Sequence, residues 1–282
     1  MASQELTKAK QESYLQAMGI QAWVSRAQPL PGAADDGSAD ARIIESIVEI
    51  EAEVADSAVS EMSKPKVDEA LSVKDQPAFE EVVVPTSPDV DVSHLDWSEL
   101  QSAVSSCTAC ALHESRTNTV FGVGDQQAQV MVIGEAPGVD EDLQGEPFVG
   151  AAGLLLNNML LAIGYKREQV YIANILKCRP PGNRDPQPEE VTQCESYLKR
   201  QITLVKPKVI LAFGRIAAHN LMKVDTPIGK MRGKLYEYSE TPVVVTYHPA
   251  YLLRKPSEKA KSWDDLRFAL TIIRDEQEGS ET

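Results

Sequence analysis

VMVIGEAPGVDEDLQGEPFVGAAG, residues 130–153, is the stretch whose reading decides the fold. Val130 to Ile133 is an apolar run short enough for a strand buried on both faces, and it stops at a Gly-Glu-Ala-Pro-Gly turn followed by acidic residues. Strands of that kind belong to parallel sheets, which bind ligands beyond their carboxyl ends. Glu135, Asp140, Glu141 and Asp142 would then stand at the mouth of a crevice that Phe148 could line.

The pattern continues downstream. Residues 150–163, rich in Ala, Leu and Met, predict a helix, and Val170 to Ala173 predict a second buried strand ending at Asn174. A proline-rich loop, CRPPGNRDPQP (178–188), leads to a helix expected over 189–205. Strands at 209–213 and 243–247 and helices at 215–222 and 262–276 come next. Alternation of strands and helices predicts an α/β domain with a four-stranded parallel sheet flanked by helices. Glu135, Asn174 and His248 each lie at the end of a strand, so a carboxylate, a carboxamide and an imidazole should meet along one sheet edge beside Phe148.

Upstream the chain changes character. Residues 1–96 carry 19 Asp and Glu against 7 Lys and Arg, and the remaining 186 residues carry 23 against 21, so the net charge of −14 resides almost wholly in the tail. The C-terminal part is therefore free to present a basic face to nucleic acid. Three regions are expected: a short amphipathic peptide (1–26), an acidic disordered linker (27–94) with a weak helix near 42–58, and a folded domain (95–282) whose first helix is capped by Asp96 or Ser98. The first twenty residues lack the apolar run of a secretion signal, and no segment approaches the ~18 apolar residues of a membrane span, so a cytoplasmic, nucleoid-associated monomer is expected.

Cys107 and Cys110 form a C-x2-C pair, with Cys178 and Cys194 distant in sequence. Four thiolates suit either zinc or a 4Fe–4S cluster, and spacing alone does not separate them.

Several of these motifs occur together and in order in one known family. GEAPG with its trailing acidic residues, EPFVGAAG, Asn174 before KCRPPGNRDPQPEE, and HPAYLLR resemble the family 4 uracil-DNA glycosylases, the iron-sulfur type, over residues 95–275. The resemblance implies excision of uracil from DNA to leave an abasic site, and a 4Fe–4S cluster on Cys107, Cys110, Cys178 and Cys194. It places Gly134 and Phe148 against the flipped uracil, Asn174 on its polar edge and His248 at its O2. Leu252 or Leu253 would fill the space the base leaves, with Arg254 and Lys255 on phosphates. Glu135 is the first candidate to activate water, then Glu141, then Asp142. The competing expectation is an iron-sulfur DNA-binding protein that has kept the fold and lost or changed catalysis. Residues 14–26, YLQAMGIQAWVSR, resemble the N-terminal peptide of the bacterial DNA polymerase III psi subunit, which implies the chi subunit as a partner.

Overall fold

The structure is a computed structural model that describes residues 8–20 and 91–278, with side chains from 11 to 20 and 91 to 274. The expected linker helix near 42–58 and Trp23 of the amphipathic peptide lie outside the described residues. In chain order the elements are α1 (Lys8–Ala17), α2 (Trp97–Ser105), β1 (Val123–Gly124), β2 (Val130–Gly134), α3 (Val139–Gln144), α4 (Ala151–Ala162), β3 (Tyr171–Asn174), α5 (Pro188–Val205), β4 (Val209–Phe213), α6 (Arg215–Met222), α7 (Ile228–Met231), β5 (Leu235–Tyr238), β6 (Thr241–Thr246), α8 (Pro249–Arg254) and α9 (Lys259–Glu278). No helix among the described residues is long and apolar enough to cross a membrane.

The sheet runs β1-β3-β2-β4-β6-β5, and its inner four strands are parallel, as the alternating pattern predicts. Two antiparallel edge strands, β1 on β3 and β5 on β6, extend it to six and make it mixed. Side-chain alternation divides the core between two faces. Val130, Val132, Val209, Leu211 and Val244 point toward α4, α8 and α9, while Met131, Ile133, Ile210, Ala212, Val243 and Val245 point toward α5 and α6. Continuous apolar strands are what a sheet covered on both faces requires.

Two outlying helices complete the domain. α2 opens at Asp96, whose carboxylate accepts from Glu99 N at 2.9 Å while Glu99 caps Asp96 N in return at 2.8 Å. Its Leu100 and Val104 pack with Val92, Phe121 and Tyr197, so the ordered core reaches slightly upstream of residue 95. α1 lies along α4: Leu15 and Met18 are buried in the main core, and Gln11 Nε2 donates to Ala162 O at 3.5 Å.

Register decides where polar residues gather. Gly134 pairs with Asn174 and Phe213 with Thr246, so the parallel strands end almost level. The residues just beyond the strand ends, Glu135, Ile175, Gly214 and the Tyr247–His248 turn, therefore emerge on one edge of the sheet.

Candidate active site

A cleft of about 450 Å³ opens on that edge, lined among others by Glu135, Glu141, Phe148, Asn174, His248 and Arg254. Residues separated by more than a hundred positions in sequence thus share one cavity. Asn174 is only 2% exposed, and its Oδ1 has no hydrogen-bond partner. A buried amide oxygen left unpaired costs about 1–3 kcal/mol, which a ligand that donates to it recovers. Gly134, its register partner, makes room for it. A Cβ there would stand 2.4 Å from Asn174 Oδ1 and 2.7 Å from Phe148 Cζ, so only glycine lets the amide and the aromatic wall close on each other.

Phe148 adopts a left-handed backbone, φ 54°, an uncommon state for a bulky residue that costs about 1–3 kcal/mol and persists only where its surroundings enforce it. Gly153 on α4 leaves the room this backbone needs, since a Cβ there would fall 1.8 Å from Phe148 O. So held, the Phe148 ring stacks on His248 with centroids 5.4 Å apart and planes inclined by 28°.

His248 caps α8, its Nδ1 accepting from Ala250 N at 3.2 Å. An accepting Nδ1 leaves the proton of the neutral ring on Nε2. Burial, reinforced by Arg254 and opposed by Glu141, pulls the imidazole pKa down to about 4. The ring is therefore an uncharged donor at neutral pH.

The three carboxylates expected as candidates to activate water have separate fates. Glu141 accepts from Gly138 N (3.0 Å), Val149 N (3.0 Å) and Gly150 N (3.3 Å), and so buckles the two ends of the motif together. Although it lines the cleft, both its oxygens are spent on backbone amides. Asp142, 3% exposed, accepts from Thr117 N at 2.9 Å and Asn118 N at 3.4 Å, an internal brace that does not line the cleft. Glu135 differs from both. Burial, with Asp185 adding to it and Arg215 opposing, raises its pKa to about 6. Of the three, Glu135 has the environment of a general base.

The assignment of Leu252 as the wedge into DNA needs correction. Leu252 is 1% exposed and belongs to the core cluster, whereas Leu253 is 44% exposed. In a helix, adjacent residues point about 100° apart, so one of the pair had to face inward. Arg254 borders the cleft, and Lys255 is exposed beside it.

Some site residues lie in the KCRPPGNRDPQPEE motif, where the sequence alone assigns them no role. Asp185 and Arg184 belong to the proline-rich loop and line the cleft, where Arg215 pairs with Asp185 at 2.6 Å and Arg184 with Glu190 at 2.5 Å. Lys177 is fully buried, donating to Asn174 O at 3.0 Å and Gln201 Oε1 at 2.6 Å. Their place within that motif is the signal that could have drawn notice to them.

All four cysteines line a second, smaller cavity together with Arg116, Lys177 and Tyr197. Arg116 Nη1 donates to Cys178 Sγ at 3.2 Å and Lys177 N to Cys194 Sγ at 3.3 Å. Burial raises the thiol pKa of Cys110 and Cys178, and that of Cys194 to about 12. Among the described residues no group of three His, Cys, Asp or Glu side chains is arranged to hold a single metal ion.

Comparison with known proteins gives a consistent result. A family profile described as the uracil DNA glycosylase superfamily matches residues 121–267. The type-4 uracil-DNA glycosylase of Archaeoglobus fulgidus is 49% identical over 172 residues, covering 58% of this chain and 86% of that protein. Type-4 uracil-DNA glycosylases of Pyrobaculum aerophilum and Thermotoga maritima are each 42% identical, over 61% of this chain and 92% of theirs.

The packing around Gly134 generates a test. Gly134→Ala should push Asn174 and Phe148 apart and weaken uracil binding at least about tenfold, the equivalent of 1.4 kcal/mol. Titration calorimetry with free uracil, alongside circular dichroism to verify the fold, measures it. Unchanged affinity would show that this contact does not shape the pocket.

Proposed function

The chain belongs to the type-4 uracil-DNA glycosylases of the uracil DNA glycosylase superfamily, a hydrolase family that removes uracil from DNA, and we infer that the cleft beyond the parallel strands is where it does so. The vacant amide of Asn174, beside Phe148 and a neutral His248, is the observation that carries this reading. A fold that had kept only DNA binding would have no need to hold these three together with Glu135.

The reaction breaks the bond between uracil N1 and the deoxyribose, with water supplying the group that replaces the base. A flipped uracil would lie against the Phe148 ring, out of the base stack. Asn174 Oδ1 would accept from uracil N3–H while its amide N–H donates to O4. Cytosine offers an unprotonated N3 and an amine at those positions, so it would leave buried groups unpaired, the strongest available form of rejection. As the bond lengthens, positive charge develops on the sugar and negative charge on the base. His248 Nε2–H would donate to uracil O2, a contact that strengthens with that charge. Glu135, ionised above about pH 6, would take a proton from the attacking water. Leu253 would enter the gap left by the base, and Arg254 and Lys255 would meet phosphates.

We further propose that Cys107, Cys110, Cys178 and Cys194 hold a 4Fe–4S cluster. A four-iron cluster is wider than one ion and needs its thiolates spread around a cavity, and donors already face two of the sulfurs. Metal ligation would have to displace the protons that burial holds on these thiols, so binding the cluster would release protons. Such a cluster would tie the chain after α2 to the loop between β3 and α5. Residues 14–26 would recruit a replication partner of the chi type only by leaving α4, because Leu15 and Met18 are already buried there.

Uracil-containing and matched thymine-containing oligonucleotides, treated with the protein and then with alkali, test the activity: cleavage is expected at uracil alone. Single-turnover excision should rise as pH passes about 6 and level off above it, because the base works only when ionised. Glu135→Gln should remove that limb and slow excision by roughly 10²–10⁴. A pH limb that persists in the variant assigns the proton transfer elsewhere. Protein isolated without oxygen should carry about four irons, with broad absorption near ~400 nm. Stoichiometric zinc in place of iron refutes the cluster. Finally, purified chi subunit should bind the full chain more tightly than a chain lacking residues 1–26, and equal binding or none rules out recruitment through this peptide.

A further inference from the structure

Arg167 belongs to no motif of the sequence. It opens a one-turn 3-10 segment, Arg167–Gln169, between α4 and β3. Its side chain turns back toward the cleft wall: Nη1 donates to Phe148 O at 3.3 Å and Nη2 to Pro147 O, while Nη1 also reaches Asn157 Oδ1 on α4 at 3.4 Å. The planar fork thus grips two successive carbonyls on the approach to the stacking ring and anchors the grip on a helix. Burial pulls the guanidinium pKa down, and Glu146 and Glu141 oppose that pull in favour of the charged form.

Those two carbonyls flank the backbone that places Phe148 at φ 54°. Gly153 and Gly134 permit this conformation by leaving space, but space alone does not select it. Carbonyls turned toward a fixed cation do select it, since the ordinary extended or helical backbone at Phe148 would swing at least one of them off the guanidinium. We propose that Arg167 is a positioning residue that holds Phe148 in its left-handed conformation and so sets the plane on which the flipped base stacks. Lysine cannot replace it, because a single ammonium is a point charge without the fixed fork that spans two acceptors.

The proposal rests on the reading of Phe148 as the base-stacking wall, and the experiment separates the two. Full-length wild type, Arg167→Lys, Arg167→Gln, Phe148→Ala and the Arg167→Gln/Phe148→Ala double variant are compared on a single-stranded uracil oligonucleotide. Single-turnover rate and half-saturating concentration are measured for each, with thermal melting to report the fold. Both Arg167 variants should lose about tenfold in rate over half-saturating concentration, and Arg167→Gln should add nothing in the Phe148→Ala background, the mark of two residues acting through one interaction. A full, additive loss in the double variant overturns the proposal, because it means Arg167 acts elsewhere. So does wild-type behaviour of Arg167→Lys, which would make charge alone sufficient. If Phe148→Ala itself behaves as wild type, the stacking reading fails first and the inference falls with it. Should Arg167→Gln melt too low to assay, the same cycle run with Arg167→Lys decides.

Discussion

A single ammonium group without access to water holds the site end of the sheet together. Lys177 Nζ is bound by Asn174 O and by Gln201 Oε1, and the Gln201 amide in turn donates to Phe121 O at 2.8 Å and Tyr171 OH at 3.1 Å. One buried network therefore joins the end of β3, the C-terminal part of α5 and the lead-in to β1. Burial pulls the Lys177 pKa to about 8, against the opposing pull of Cys194 and Cys178. Hydrogen bonds to a charged group are worth about 1.5–3 kcal/mol each, so each partner is constrained by the others. Asn174 is among them: the residue proposed to face the base is fixed through its own backbone carbonyl, and its Oδ1 is left without an internal partner.

The parallel centre of this fold was legible because burial on both faces leaves a strand no choice but to be apolar throughout. VMVI, VILAF and their neighbours read as strands for that reason, and the edges did not. β1 is two residues long, and Leu235–Tyr238 alternates exposed and half-buried positions. Such segments become strands only when a neighbour supplies the hydrogen bonds. The acidic stretch after the first motif reads as a turn, yet it folds as α3 because Glu141 returns to cap Gly138 N. Within the site, side chains at the ends of strands could be placed from sequence, because the strand ends locate them. Arg167 and Lys177 could not, since the partners of Arg167 lie up to 20 positions away and one partner of Lys177 lies 24 away, contacts that no periodicity encodes.

The carboxylates Glu135, Glu141 and Asp142 show how far position in a motif falls short of a role. They share a chemical group and a span of eight residues, and hydrogen bonding alone separates them. Both oxygens of Glu141 and Oδ1 of Asp142 are taken by backbone amides, which leaves them as fasteners. Glu135 is held in a partly dry place between Asp185 and Arg215, where its proton affinity sits close to physiological pH.

The neutrality of His248 has a bearing on what happens once the bond is broken. A cationic imidazole would grip the departing uracil anion as an ion pair in a nearly dry cavity, and every cycle would end with that pair to be pulled apart. An uncharged Nε2–H strengthens its hold only while negative charge is present on O2. When the base picks up a proton from solvent, the contact reverts to an ordinary neutral hydrogen bond, roughly half as strong as a charge-assisted one. In the proposed mechanism the ring that assists departure would thereby also let go, and the enzyme would avoid becoming a trap for its own product.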